Sequence, residues 1–299
     1  MEEPRNDLVP TGGQLDASLF PCHTTRAFRH ALKSASMLRQ SCIFCGRLDR
    51  KISNEHAWPN WVRALFPPGK STITSGPTGG APRRWIANDD MGVTVNAICK
   101  GCNEGWMHAL EDAVKPILSK PIQIGGATSF SAEQQGLLAA WSYKTAMVFE
   151  FAGHTPTPYY TADERLALSQ TSTAPARNVF VTLAGYTAGT LSTAHHHMIN
   201  YELEDHPTTS SVDARCTTIS VGKFAFQVLA MRLPDDVHQL LMPVRGRDWE
   251  RRTVGVWPNP HPVVEWPPAE ILDDRGLASF ANRWNISGRA DETVQPIQT

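Results

Sequence analysis

No stretch of this sequence approaches the roughly 18 consecutive apolar residues of a membrane-spanning helix. Its opening, Met1-Glu2-Glu3-Pro4, has no basic start followed by an apolar run, so no export signal is read there and a cytoplasmic protein without membrane contact is expected. A dominant charge is also missing. With 28 Lys and Arg against 29 Asp and Glu, the formal net charge is −1, which excludes the global basic field of general nucleic-acid binders. Any contact with phosphate must then be local. Six cysteines in 299 residues are too few for a disulfide scaffold, and no segment repeats at a fixed period, which sets aside solenoids and propellers. An apolar fraction of 41% with 19% charged residues excludes a disordered chain.

What is present divides the chain. Residues 1–37 carry scattered Pro and Gly and read as a partly disordered leader, with a short helix around Thr25–Leu38. Residues 38–120 hold paired cysteines around a Gly/Pro-rich loop, with strand-like runs at Arg84–Ala87 and Val93–Ala97. A helix follows on the spacing of Trp106, Leu110, Ala113, Val114 and Ile117, and Pro116 is expected to end or bend it. Residues 121–285 form a second domain of open role. It starts with a helix capped by Ser131 and Gln134, with Leu138, Trp141, Thr145, Val148 and Phe149 on one face. Lys144 and Glu150 read there as members of an ordinary amphipathic helix. Strands are expected at Val179–Leu183, His197–Leu203, Thr217–Val221 and Phe224–Ala230, with Gly222-Lys223 as a tight connection. A proline-rich connector, a short helix carrying Leu277, Phe280 and Trp284, and a disordered tail over 286–299 complete the reading.

The strongest pattern is Cys42-Ile-Phe-Cys45 with Cys99-Lys-Gly-Cys102. Each two-residue gap brings two sulfurs within reach of one ion, and four thiolates saturate tetrahedral zinc, so a structural Zn²⁺ that takes no direct part in chemistry is expected. Cys22 and Cys216 stand alone and read as buried thiols.

Between the clamps lies Ser53-Asn54-Glu55-His56-Ala57-Trp58-Pro59, and Asn103 follows the second clamp directly. One-metal phosphodiester hydrolysis needs oxygen ligands for a divalent ion and a base for the attacking water. Glu55, Asn103 and His56 are the residue types that supply them. The order clamp, Glu-His, clamp, Asn resembles the HNH, or ββα-metal, endonuclease family in its four-cysteine zinc-bound branch, over roughly 80 residues. The resemblance implies an α+β protein with a treble-clef-like nuclease domain, followed by a helix and a mixed or antiparallel sheet domain. It implies Glu55 and Asn103 as ligands of a catalytic Mg²⁺ or Mn²⁺, His56 as general base, and DNA as substrate, with RNA and a homodimer both compatible. The family's central Asn falls at Thr94 here, and Asn96 is the nearest residue able to take that catalytic role. Loss of the chemistry with retention of the fold would leave a zinc-stapled nucleic-acid-binding or protein-interaction module. Zinc base deaminases are excluded, since their His-x-Glu and Pro-Cys-x-x-Cys pattern is absent.

Arg47, Arg50, Lys51, Arg83, Arg84 and Lys100 surround these motifs in sequence and are the expected phosphate contacts. A second basic run, Arg245 to Arg252, lies far from them. His195-His196-His197 reads as a surface strand, because alternate residues face opposite ways. Trp58, Trp61, Trp85 and Trp106 are expected mostly in the core.

Overall fold

The computed structural model describes residues 40–68, 71–75, 83–87, 91–152, 158–187, 190–202, 211–233, 240–241, 246–284 and 295–296. These belong to one compact unit spanning Gln40–Thr299. The expected leader lies outside the described residues, as do Cys22 and most of the tail. Of the tail, Gln295–Pro296 pairs antiparallel with Leu240–Leu241.

The clamp segment begins with a turn at Cys42–Cys45, closed by the Gly46 N–H donating to the Cys42 carbonyl at 2.9 Å. Gly46 sits at φ +68°, a left-handed conformation that a Cβ disfavours. Strand β1 (Ile52–His56) pairs antiparallel with β4 (Thr94–Cys99), and the register shifts between Ser53 and Glu55. Between them lie the single-turn helix α1 (Asn60–Arg63) and the hairpin β2 (Ser71–Ser75) with β3 (Arg83–Ala87). After Cys99 a short turn leads into a widened one over Asn103–Met107, and then into helix α2 (His108–Ile124).

Helix α2 does not stop at Pro116; it runs through Pro116 and Pro121 to Gly125, whose φ of +67° terminates it. Pro116 is exposed, so the carbonyl that loses its N–H partner faces water. Leu110, Val114, Leu118 and Ile122 are buried at spacings of four, whereas Ala113 faces solvent and Trp106 belongs to the preceding turn. The helix also passes position 120, where a domain boundary was expected. Its apolar stripe packs on α3 (Ala132–Glu150), and a single hydrophobic cluster runs from Cys42 to Trp266.

Strand β5 (Thr128–Ser131) leads into α3. The capping box forms: Ser131 Oγ accepts from the Gln134 N–H, and Gln134 Oε1 accepts from the Ser131 N–H at 2.9 Å. An amphipathic helix was expected, but every residue from Leu138 to Val148 is buried. The cause is enclosure, with α2 on one side and a sheet on the other. Helix α4 (Ala162–Thr171) carries a second capping box, Thr161 with Glu164.

That sheet comprises β6 (Val179–Gly185), β7 (Ser192–Glu202), β8 (Ser211–Val221), β9 (Phe224–Met231) and β11 (Thr253–Trp257), in the order β11-β6-β9-β8-β7. All its pairings are antiparallel. Phe224, Phe226 and Val228 on one face of β9 join the α3 core, while Ala225, Leu229 and Met231 join clusters on the other. The latter face is covered in part by α6 (Asp274–Asn282). Between them run the two-residue strand β10 (Leu240–Leu241), α5 (Gly246–Arg252), and β12 (Val263–Trp266), which pairs with β5.

The Gly222-Lys223 turn joins β8 to β9 as expected and also docks the sheet on α2, the Lys223 N–H donating to the Ile122 carbonyl at 2.8 Å. A Cβ on Gly222 would lie 2.1 Å from that carbonyl oxygen, and φ there is +55°, so both space and backbone demand glycine.

Candidate metal centre and adjoining cleft

The Cys42–Cys45 turn hangs on β4 through the Ile43 N–H, which donates to the Ala97 carbonyl at 2.9 Å. Cys99 ends β4, and its backbone N–H donates to Cys42 Sγ at 3.3 Å, while the Cys102 N–H donates to Cys99 Sγ at 3.4 Å. The ligand-atom positions of Cys42, Cys45, Cys99 and Cys102 all lie within 4.8 Å of one another. Zinc–sulfur bonds of about 2.3 Å give a tetrahedron with edges of about 3.8 Å, and Cys45 and Cys99 Sγ are 3.7 Å apart. All four cysteines are free. The donor set therefore fits a metal such as zinc, and among the described residues it is the sole such group of His, Cys, Asp or Glu. The hydrogen bond with Cys102 holds the Cys42 thiol well below the usual thiol range, and the same contact pushes Cys102 up.

Beside the centre opens a cleft of about 600 Å³ whose lining includes Glu55, His56 and Asn103. Neighbouring residues in a regular strand face opposite ways. Here the β1–β4 ladder is irregular just before Glu55 and ends at His56, which lets both side chains serve one cleft. The next residues are anchored firmly. The Ala57 N–H donates to the Val93 carbonyl at 2.7 Å, and the buried Trp58 donates from Nε1 to Ser192 Oγ at 3.0 Å while its ring meets Phe149 and Trp141. Asn103 is fixed from its other side, one residue after Cys102. The opposite wall is a stripe along the widened turn and α2: Asn103, Glu104, Met107, His108, Glu111, Asp112 and Lys115.

Asn96 does not join this group. It is exposed, lies at the irregular stretch of β4, and is not among the lining residues. Thr94 instead stands directly across from His56 in the strand pair.

Of the expected phosphate contacts, Arg47, Arg50, Lys51 and Lys100 are not among the lining residues. Arg47 is paired with Asp49 at 2.7 Å on the surface, Lys100 lies 3.4 Å from Glu104, and Arg50 and Lys51 are exposed. Arg83 and Arg84 lie in β3, opposite Ser75 and Thr74, and their side chains fall outside the described residues. Arg47, Arg50, Lys51 and Lys100 face water, whereas the lysines lining the cleft are Lys115 and Lys144.

Lys144 corrects the amphipathic reading of α3. It is 2% exposed, and its Nζ donates to Glu111 Oε1 at 2.7 Å. One signal could have revealed it: between Glu133 and Glu150 it is the single charged residue of the helix. Glu150 is buried too, its Oε1 accepting from the Tyr159 N–H at 2.6 Å, and burial raises its pKa.

The histidine triplet lies inside β7, opposite Thr218, Thr217 and Cys216. His196 Nδ1 is 3.1 Å from Thr217 Oγ1, and burial, with Arg215 nearby, lowers its pKa to about 3. Of the tryptophans, Trp58 is core, Trp106 packs edge-on against buried Phe44 at 5.1 Å, and Trp61 lines the cleft. The side chains of Trp85 and Arg247 fall outside the described residues, as does Arg245. Among the described residues, no helix is long and apolar enough to cross a membrane. Set against protein-family models, curated proteins and solved structures, the chain has no significant match.

Proposed function

We propose that this protein is a metal-dependent phosphodiesterase of the HNH, or ββα-metal, type that cleaves DNA. The observation that carries the reading is that the adjacent pair Glu55 and His56 and the distant Asn103 line one cleft beside the four-cysteine centre. The antiparallel pair β1–β4 followed by α2 is consistent with the ββα arrangement.

In this reading zinc, saturated by four thiolates, ties Cys45 to Cys99 and so fixes both β1 and the residue after Cys102. The His56 imidazole takes the proton from the attacking water. The Glu55 carboxylate and the Asn103 amide oxygen are the ligands for Mg²⁺ or Mn²⁺, both oxygen-preferring ions. Such an ion, when bound, neutralises charge on the phosphate and the departing oxygen. The cleft supports the need for one: its lining carries the carboxylates Glu55, Glu104, Glu111 and Asp112 against Lys115 and Lys144. A phosphodiester would otherwise meet an excess of negative charge.

Thr94 opposite His56 favours a second reading, a zinc-stapled module that binds nucleic acid without cutting it. The two separate in one experiment. Zinc-loaded protein is incubated with supercoiled plasmid, single-stranded DNA or RNA in Mg²⁺ or Mn²⁺, beside His56→Ala of matched zinc content. Nicking that disappears in the folded variant is expected. Salt-sensitive binding with no cleavage of any substrate would favour the binding module, and absence of both binding and cleavage would reject both readings.

A further inference from the structure

We propose that Lys144 is the phosphate-binding cation of the cleft, held in place by Glu111 and presented to a non-bridging oxygen of the substrate phosphodiester. This rests on reading the cleft as a phosphodiesterase site and names the group that receives the substrate's charge.

The first support is position. Lys144 and Glu111 line the same cleft as Glu55, His56 and Asn103, although Lys144 lies on α3 and none of the sequence motifs contains it. The second is incomplete pairing. A lysine ammonium has three N–H donors, and the bond to Glu111 Oε1 is its one hydrogen bond among the described residues. The Trp141 ring, with its centroid 5.9 Å from Nζ, covers a further side without accepting in the ordinary sense. A buried ammonium with unused donors at a cleft wall is suited to an anion that arrives later. Phosphate oxygens are strong acceptors for such a group.

The third support is that stability does not explain the residue. Lys144 is 2% exposed, and a buried ion pair generally holds a fold together no better than apolar side chains of the same shape. Its neighbours Trp141, Tyr143, Ala146, Met147 and Val148 fill the surrounding core with apolar groups. Glu111, 2.7 Å away, holds the Lys144 side chain in place at the cleft wall. The fourth is that, among the described side chains, the surface cations Arg47, Arg50, Lys51 and Lys100 are not in the lining, and Lys115 is the remaining lysine there.

The test measures binding and does not require cleavage. His56→Ala protein, full-length and zinc-loaded, is titrated with inorganic phosphate and with a fluorescein-labelled single-stranded DNA oligonucleotide. The same is done after adding Lys144→Met, Lys144→Arg or Glu111→Gln, with folding checked by thermal unfolding. Lys144→Met is expected to weaken both probes about tenfold and to reduce the slope of log affinity against log salt by about one. Lys144→Arg should retain most of the affinity. Glu111→Gln should retain or raise it, since the phosphate then replaces the carboxylate as counter-ion.

Unchanged affinity in folded Lys144→Met overturns the proposal, as do equal losses in Lys144→Met and Glu111→Gln, the mark of a purely structural pair. If Lys144→Met does not fold, Glu111→Gln decides: reduced affinity overturns and retained affinity supports. Phosphate binding that depends on Lys144, with no DNA bound or cut, keeps the anion site and removes the nuclease reading. Wild-type cleavage that Lys144→Met leaves unaltered in KM and kcat does the reverse.

Discussion

In strand β1 not one residue from Ile52 to His56 is buried, whereas in β9 every residue from Phe224 to Met231 is. The two strands sit in one compact unit but are held by different means. Around β9 apolar side chains from α3, from the flanking strands and from α6 remove both faces from water, and burial of that extent is the main favourable term in folding. Around β1 the hydrophobic cluster includes Phe44, Trp58, Val62, Val95 and Ile98, while Glu55 and His56 line the cleft. A segment that must expose Glu55 and His56 cannot also bury them. Four cysteines placed to hold one metal ion would supply what the thin core lacks.

The sharpest way to break this comparison is to take the metal away. One zinc per chain is expected. Its removal, or Cys99→Ser, should abolish hydrogen-exchange protection across β1 and β4 while β8 and β9 keep theirs. For structural zinc the energy at stake is large, on the order of 10 kcal/mol in isolated fingers. Equal loss of protection in both regions would show that the sheet depends on the clamp as well.

A smaller effect is expected at the seam. Trp141 is fully buried, with ring centroids 6.3 Å from Trp58 and from Trp61 on the clamp side and 5.5 Å from Phe226 on the sheet side. Trp141→Ala should cost about 3–5 kcal/mol in urea unfolding. It should also blur the difference in exchange between the two regions, and a cost below about 1 kcal/mol would mean that they are energetically separate.

The smallest effect belongs to the sheet alone. His196 is neutral in the fold, its pKa lowered from 6.5 to about 3 chiefly by burial. In the unfolded chain it takes up a proton below about pH 6.5, so the unfolded state binds more protons and stability falls as pH drops from about 6.5 toward about 3. Between pH 7 and pH 5 this amounts to about 2 kcal/mol. His196→Gln should flatten that part of the profile, as read from urea midpoints at the two pH values. An unchanged profile would assign the acid sensitivity elsewhere.

The clamps, the capping box at Ser131 and Gln134, the Gly222-Lys223 turn and the order that brings Glu55, His56 and Asn103 under suspicion were all legible from the chain. The local devices among these rest on residues close in sequence, where spacing fixes geometry: cysteines with two residues between them, a hydroxyl three residues before an N–H, a glycine where φ is positive. The continuation of α2 through Pro116, the burial of α3 on all sides, the exposure of Asn96 and the meeting of Lys144 with Glu111 were not. They depend on which elements enclose which, and a helix sequence does not state whether one face or all of it will be covered. The sequence by itself determined the local devices and the four cysteines that could hold a metal. The tertiary structure decided which charged groups face the cleft and which face water, because that choice is made by packing between segments far apart in the chain.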